Sequence, residues 1–184
     1  MINLPVVEGR SCDGCTKCCE GYLTGEIDSK PFGHGSDCFL VQIGKGCGDY
    51  ENRPEMPCKT FQCQWLVDEN VPERFKPSEI NVIISKRSLG GDEDFIELVE
   101  AGSKLDSEVL SWALENAIEN DKNLFWTIGD QDFWIGDENF NKEITEFSYK
   151  NDLNTEAVDY FPPKFDAFQE YKFNFDFEDD SETD

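Results

Sequence analysis

The sequence predicts an α+β protein, with a cysteine-rich, metal-organised N-terminal module packed on a small antiparallel sheet with one covering helix. Three observations predict it. All eight cysteines fall within residues 12–63, strand-like segments recur on both sides of residue 110, and one apolar stripe at helical spacing lies between them. The expected division is a cysteine-cluster module at 1–66, a small α+β part at 67–150 and an acidic aromatic C-terminal segment at 151–184.

Each element has a local reason. LVDENVPERFKPSEI, with its prolines and mixed charge, reads as a short helix or linker leaving the module. INVIISKR is a β-branched apolar run, SLGGDED a turn and FIELVEAG a second strand, together an antiparallel pair. Asp106 is placed to cap a helix to about Asn120, because Val109, Leu110, Ala113, Leu114, Ala117 and Ile118 share one face. FWTIGDQDFWIGD repeats Phe-Trp before Ile-Gly-Asp and reads as strand, Gly-Asp turn and strand, with aromatic pairs on one face and the tryptophans in the core. The carboxylates Asp130, Asp132, Asp137 and Glu138 read as turn residues in a chain that has 40 acids. Tyr171, Phe173, Phe175 and Phe177 alternate with polar residues before a run of acids, the pattern of an edge strand or of an interaction tail.

With 16 Lys and Arg against 40 Asp and Glu, the formal charge is −24, which argues against docking on a phosphate backbone; nucleic acid is not an expected partner. The charge is uneven. Residues 1–63 carry 9 acids and 6 bases, and the remainder 31 and 10. MINLPVVEGRSCDG has neither the basic start nor the apolar run of a secretory signal, and no segment has the length of a membrane span, so a soluble cytoplasmic protein is expected. In a reducing compartment grouped cysteines serve as metal ligands or redox groups more often than as disulfides.

The stretch CDGCTKCC at residues 12–19 holds half of the cysteines. A CxxC turn brings two thiolates to about 3.5–4 Å, as tetrahedral sites with metal–sulfur bonds near 2.3 Å require. Here CxxC occurs twice in overlap, as Cys12/Cys15 and Cys15/Cys18. The run also matches the first three ligands of a bacterial ferredoxin motif but lacks its fourth Cys followed by Pro, so spacing leaves zinc and iron–sulfur both open. Neighbouring side chains diverge, so Cys19 should point away from the centre that Cys12, Cys15 and Cys18 share. It should turn toward the second group, Cys38, Cys47, Cys58 and Cys63, one of which completes the first site.

That second group lies in CFLVQIGKGCGDYENRPEMPCKTFQC, where Cys38-Phe39-Leu40, Gly46-Cys47, Tyr50-Glu51, Arg53-Pro54, Cys58 and Phe61 follow in order. Together with CDGCTKCC, residues 12–66 resemble the CxxCxxCC cysteine-cluster family, the YkgJ-type zinc- or iron-chelating domains. Lys17 stands where a glycine is common before the double cysteine. The resemblance implies metal held by the cysteines, and flagellin lysine N-methylases carry a related motif.

Arg53 and Tyr50 are expected beside these ligands, Arg53 either offsetting thiolate charge or pairing with Glu51 or Glu55. Tyr50, Phe61 and Trp65 read as a small hydrophobic lid. His34, in PFGHGSD, reads as a surface histidine. No catalytic side chain is assigned, because no Ser-His-Asp or Cys-His arrangement, phosphate-cradling glycine loop or zinc-protease motif accompanies the cysteines. Two classes of function follow. One is a metal-binding protein, with Zn2+ foremost, Fe or a [4Fe-4S] cluster as alternatives, and a protein partner met through the C-terminal segment. The other is an iron–sulfur or redox-metal enzyme, or its accessory protein.

Overall fold

The computed structural model describes residues 4–33, 35–89, 94–129 and 131–150. His34, Asp130 and the acidic aromatic segment at 151–184 lie outside the described residues, together with the expectations placed on them.

The cysteine-bearing part is made of turns. Two small antiparallel ladders pair β1 (Gly25–Ile27) with β2 (Lys30–Phe32), and β3 (Val41–Gln42) with β4 (Gly46–Cys47). Asp28 and Ser29, with φ of 50° and 61°, make the tight connection from β1 to β2, as a two-residue hairpin of this hand requires. At Gly25 an added Cβ would stand 2.6 Å from the Phe32 ring, so only glycine lets that ring lie across the strand. Ile27, Phe32 and Cys38 bury one another, with Cys19, Leu40, Val41 and Cys58 packed around them. Three of these seven residues are cysteines.

Two short helical turns lead out of this part. These are α1 (Gln64–Val67) and α2 (Pro77–Ile80), the second begun by a proline whose fixed φ suits a first helical position. Asn81 ends α2 in the left-handed region, φ 54°, and its carbonyl accepts from the Ala101 N–H at 2.7 Å.

The main sheet has the order β5 (Val82–Ser88), β6 (Asp94–Glu100), β7 (Asn123–Ile128), β8 (Gln131–Ile135). β5 pairs antiparallel with β6, and β7 with β8, as the strand and turn signals predict. β6 and β7 run parallel, Phe95 facing Asn123 and Leu98 facing Trp126. The sheet is therefore mixed, not antiparallel throughout. The cause is α3 (Ser107–Glu119), which carries the chain from the end of β6 back to its beginning, as a parallel pair requires.

The helix α3 starts where predicted, the Asp106 carboxylate accepting from the Glu108 N–H at 2.7 Å. Val109, Leu110, Ala113, Leu114 and Ala117 are its buried stripe and join Val82, Ile84, Leu98, Leu124 and Trp126 in the main core. A second helix, absent from the predicted set, covers the other face: α4 (Glu138–Lys150). Its Phe140 and Ile144 bury against Phe95 and Trp134. Successive strand residues point to opposite faces, so the aromatic pairs also divide. Trp126 stacks on Phe133 at 5.7 Å within the main core, while Phe125 and Trp134 belong to the cluster under α4. They do not share one face.

The hairpin carboxylates serve this architecture. Asp132 is buried and accepts from Thr127 Oγ1 at 2.7 Å, Asp137 accepts from the Phe140 N–H at 2.8 Å, and Glu138 opens the first turn of α4. At Gly136 an added Cβ would stand 2.3 Å from Asn123 Oδ1 and 2.5 Å from the Phe140 ring, so the entry to α4 is closed to side chains. The main core also takes in Leu23, Cys63, Trp65 and Leu66, which seats the cysteine-bearing part directly on the sheet. Among the described residues, no helix is long and apolar enough to cross a membrane.

Candidate metal centre

All eight cysteines line one cavity of about 430 Å³, and all eight are free thiols. Local backbone geometry delivers them there. The Cys15 N–H bonds the Cys12 carbonyl at 3.0 Å, closing the first CxxC turn, and a single 3₁₀ turn (Lys17–Cys19) follows, with Cys19 N–H on the Thr16 carbonyl at 2.8 Å. Cys38 is brought alongside by its own N–H, which donates to the Cys19 carbonyl at 2.8 Å. Cys47 lies on β4 opposite Val41. Cys58 sits in a wide five-residue helical turn, Glu55–Lys59, closed by Thr60 N–H on the Glu55 carbonyl at 3.1 Å. Cys63 occupies the position before α1, where its carbonyl accepts from the Leu66 N–H at 3.0 Å.

The adjacent pair splits. Cys18 packs with Cys63 against the main core, whereas Cys19, Cys38 and Cys58 pack in the satellite cluster with Ile27 and Phe32. The electrostatics divide along the same line. Burial pushes the Cys18 thiol well above its ordinary value, and the charges that act on it next are Cys63, Cys15, Cys19 and Cys12. Burial also pushes Cys19 up to about 12, followed by Cys38, Cys58, Cys47 and Cys12. Cys63 is likewise pushed up to about 12, by burial first and then, among its neighbouring charges, by Cys12 and Cys15. Cys58 is raised by burial, Cys38 and Cys47. One set is thus Cys12, Cys15, Cys18 and Cys63; the other is Cys19, Cys38, Cys47 and Cys58. Cross-talk through Cys12 and the Cys18–Cys19 peptide makes them neighbours.

Cys12 is the most open of the eight, yet burial of its thiol still leads the causes that raise it, ahead of Cys15. Arg53 opposes that rise at Cys12 and also at Cys58, which places its positive charge within reach of both sets. Its guanidinium lies 3.8 Å from the centroid of the Tyr50 ring. Glu55 pairs instead with Lys59, at 4.0 Å. Of the expected lid, Trp65 is buried and Phe61 packs on the main core, but Tyr50 is about half exposed, serving as the platform under Arg53.

Two cations without any sequence signal of their own hold the first set together. Arg10 donates to the carbonyls of Trp65, Asp68 (2.9 Å) and Val71 (2.7 Å), and its guanidinium lies 5.3 Å from the Trp65 ring centroid. Lys76 donates to the Asp13 carbonyl at 3.1 Å and lies over the same ring. The loop that carries Cys12 is thereby tied to the segment that follows Cys63. Thr16, buried between Cys15 and Lys17, bonds Glu20 and accepts from the Gly44 N–H at 3.1 Å, joining the double-cysteine turn to the β3–β4 hairpin.

Chemically, thiols raised this far are poor nucleophiles at neutral pH, because the thiolate is the reacting species. They are apt ligands. A divalent cation would supply the counter-charge that burial and mutual repulsion withhold, and an all-sulfur donor set suits zinc or an iron–sulfur cluster. As the side chains stand, no group of three or more His, Cys, Asp or Glu among the described residues is arranged to hold an ion. The fit is thus one of donor chemistry, eight thiols lining one cavity, and not of a finished coordination geometry. Compared with family models, with curated proteins and with solved structures, the chain matches none.

Proposed function

We propose that this is a soluble metal–thiolate protein of the cytoplasm, in which eight cysteines hold zinc at two neighbouring four-coordinate sites. Membership of the CxxCxxCC family belongs to the same reading. The observation that carries it is the parting of Cys18 and Cys19, one toward the main core with Cys63 and the other into the satellite cluster with Cys38 and Cys58. Cys12, Cys15, Cys18 and Cys63 would hold one ion, and Cys19, Cys38, Cys47 and Cys58 the other. Arg53, backed by Tyr50, offsets the negative charge that two all-thiolate sites accumulate. The role is structural, the metal organising a part of the chain that has little apolar material of its own, and the acidic aromatic segment supplies a contact for a protein partner.

Metal counting by native mass spectrometry tests this. Wild type should carry two zinc ions, Cys18→Ser and Cys19→Ser about one each, and the double variant none. A single ion in wild type, or an unchanged count after Cys19→Ser, ends the two-site reading. The size of the cavity favours a second reading, an iron–sulfur or redox-metal centre with room for a substrate beside it. A brown protein with an absorbance shoulder near about 400 nm would replace zinc by that alternative.

A further inference from the structure

The two cysteine sets differ in what supports them apart from metal. Around Cys12, Cys15, Cys18 and Cys63 the backbone is fixed by contacts made over long stretches of chain. Arg10 reaches three carbonyls between Trp65 and Val71, Lys76 reaches Asp13, the Val7 N–H bonds the Leu66 carbonyl at 3.0 Å, and Gln62 exchanges two hydrogen bonds with Leu4. Cys63 and Trp65 are themselves members of the main core. Around Cys19, Cys38, Cys47 and Cys58 there are two ladders of two or three residue pairs and a cluster in which the cysteines are almost half the members.

Resting on the metal–thiolate reading, we propose that the sites are unequal by design. The set containing Cys63, whose backbone these contacts already hold, is the slowly exchanging site, and the set containing Cys19 is assembled by its metal and is the one that exchanges it. Arg10 is the positioning residue of the first: it touches no sulfur, and it presents Cys12 to Cys63 by holding their two segments together. Ordering roughly two to three backbone residues on metal arrival weakens a site about a hundredfold relative to one already formed. The chain therefore keeps one ion and lends the other.

The test is stepwise removal of zinc from the full, zinc-loaded chain by EDTA, with N-ethylmaleimide trapping of released thiols and native mass spectrometry of each species. A one-zinc form should persist over about a hundredfold range of chelator, labelled at Cys19, Cys38, Cys47 and Cys58 and protected at Cys12, Cys15, Cys18 and Cys63. Arg10→Lys keeps the charge and loses the fork. It should weaken the protected site about tenfold and leave the other unchanged, a split that general destabilisation would not produce. Loss of both ions together, labelling of Cys12 or Cys63 first, or an equal shift at both sites in Arg10→Lys overturns the inference while the protein remains a zinc protein. Absence of zinc from freshly prepared, reduced protein overturns the metal–thiolate reading along with it.

Discussion

The sheet with its two helices and the cysteine-bearing part solve the same problem by different means. In the sheet, Val82, Ile83, Ile84, Leu98, Leu124 and Phe140 are essentially sealed from solvent, and each strand gains partners on both faces. Order there follows from apolar area removed from water. In the cysteine-bearing part the ladders are two or three residues long, the glycines and turn residues dominate, and three of the seven residues in the buried cluster are cysteines. On the metal–thiolate reading, order there rests on a crosslink. The difference shows that a 184-residue chain, large enough to fold on apolar burial alone, can still leave a third of its length with little apolar burial of its own.

Metal removal should produce the largest separation between the two. Hydrogen exchange after chelation should show loss of protection across residues 12–63, greatest between residues 19 and 47, with β5 to β8 and α3 unchanged. Uniform loss along the chain would mean that the two parts fold as one. Truncating the sheet core should do the reverse. Leu98→Ala should cost about 2–5 kcal/mol of global stability, read by denaturant unfolding, and leave the zinc count of the folded protein intact. A smaller effect discriminates more finely. Asp106→Ala removes only the cap of α3 and should cost about 1 kcal/mol, visible as a lower melting temperature of the sheet part in both the metal-loaded and the chelated protein.

What could be read from the sequence, and what could not, follows the range of the interactions involved. The β5–β6 and β7–β8 hairpins and the α3 stripe with its Asp106 cap are local, and they stand where periodicity and turn signals place them. The parallel pairing of β6 with β7 joins residues about 28 apart and leaves no local mark. α4 does carry a mark, Phe140, Ile144 and Phe147 at helical spacing after Asp137, but the stripe is short and polar residues fill the rest of the segment, so Asp137 reads as readily as a turn carboxylate as it does as the cap it proves to be. The cysteines themselves stand out by density. Their division was partly legible, since adjacent side chains must diverge, whereas the choice of Cys63 as companion to Cys18 depends on α1 docking on the sheet. Arg10 and Lys76 carry no local signal, because a lone cation in a loop has no pattern until its carbonyl partners, more than fifty residues away, come alongside.

The span bridged by Arg10 also sets a timetable. Cys12, Cys15 and Cys18 leave the site of synthesis well before Cys63, and the carbonyls that Arg10 grips come later still. At about 5–20 residues per second, the interval between Cys18 and Val71 lasts several seconds. Throughout it, three closely spaced thiols stand in a nascent chain with no finished pocket around them. Any encounter with an oxidant or a stray soft metal in that interval meets Cys18 before the main core has closed over it, so exposure to oxidants matters most while the protein is still being made.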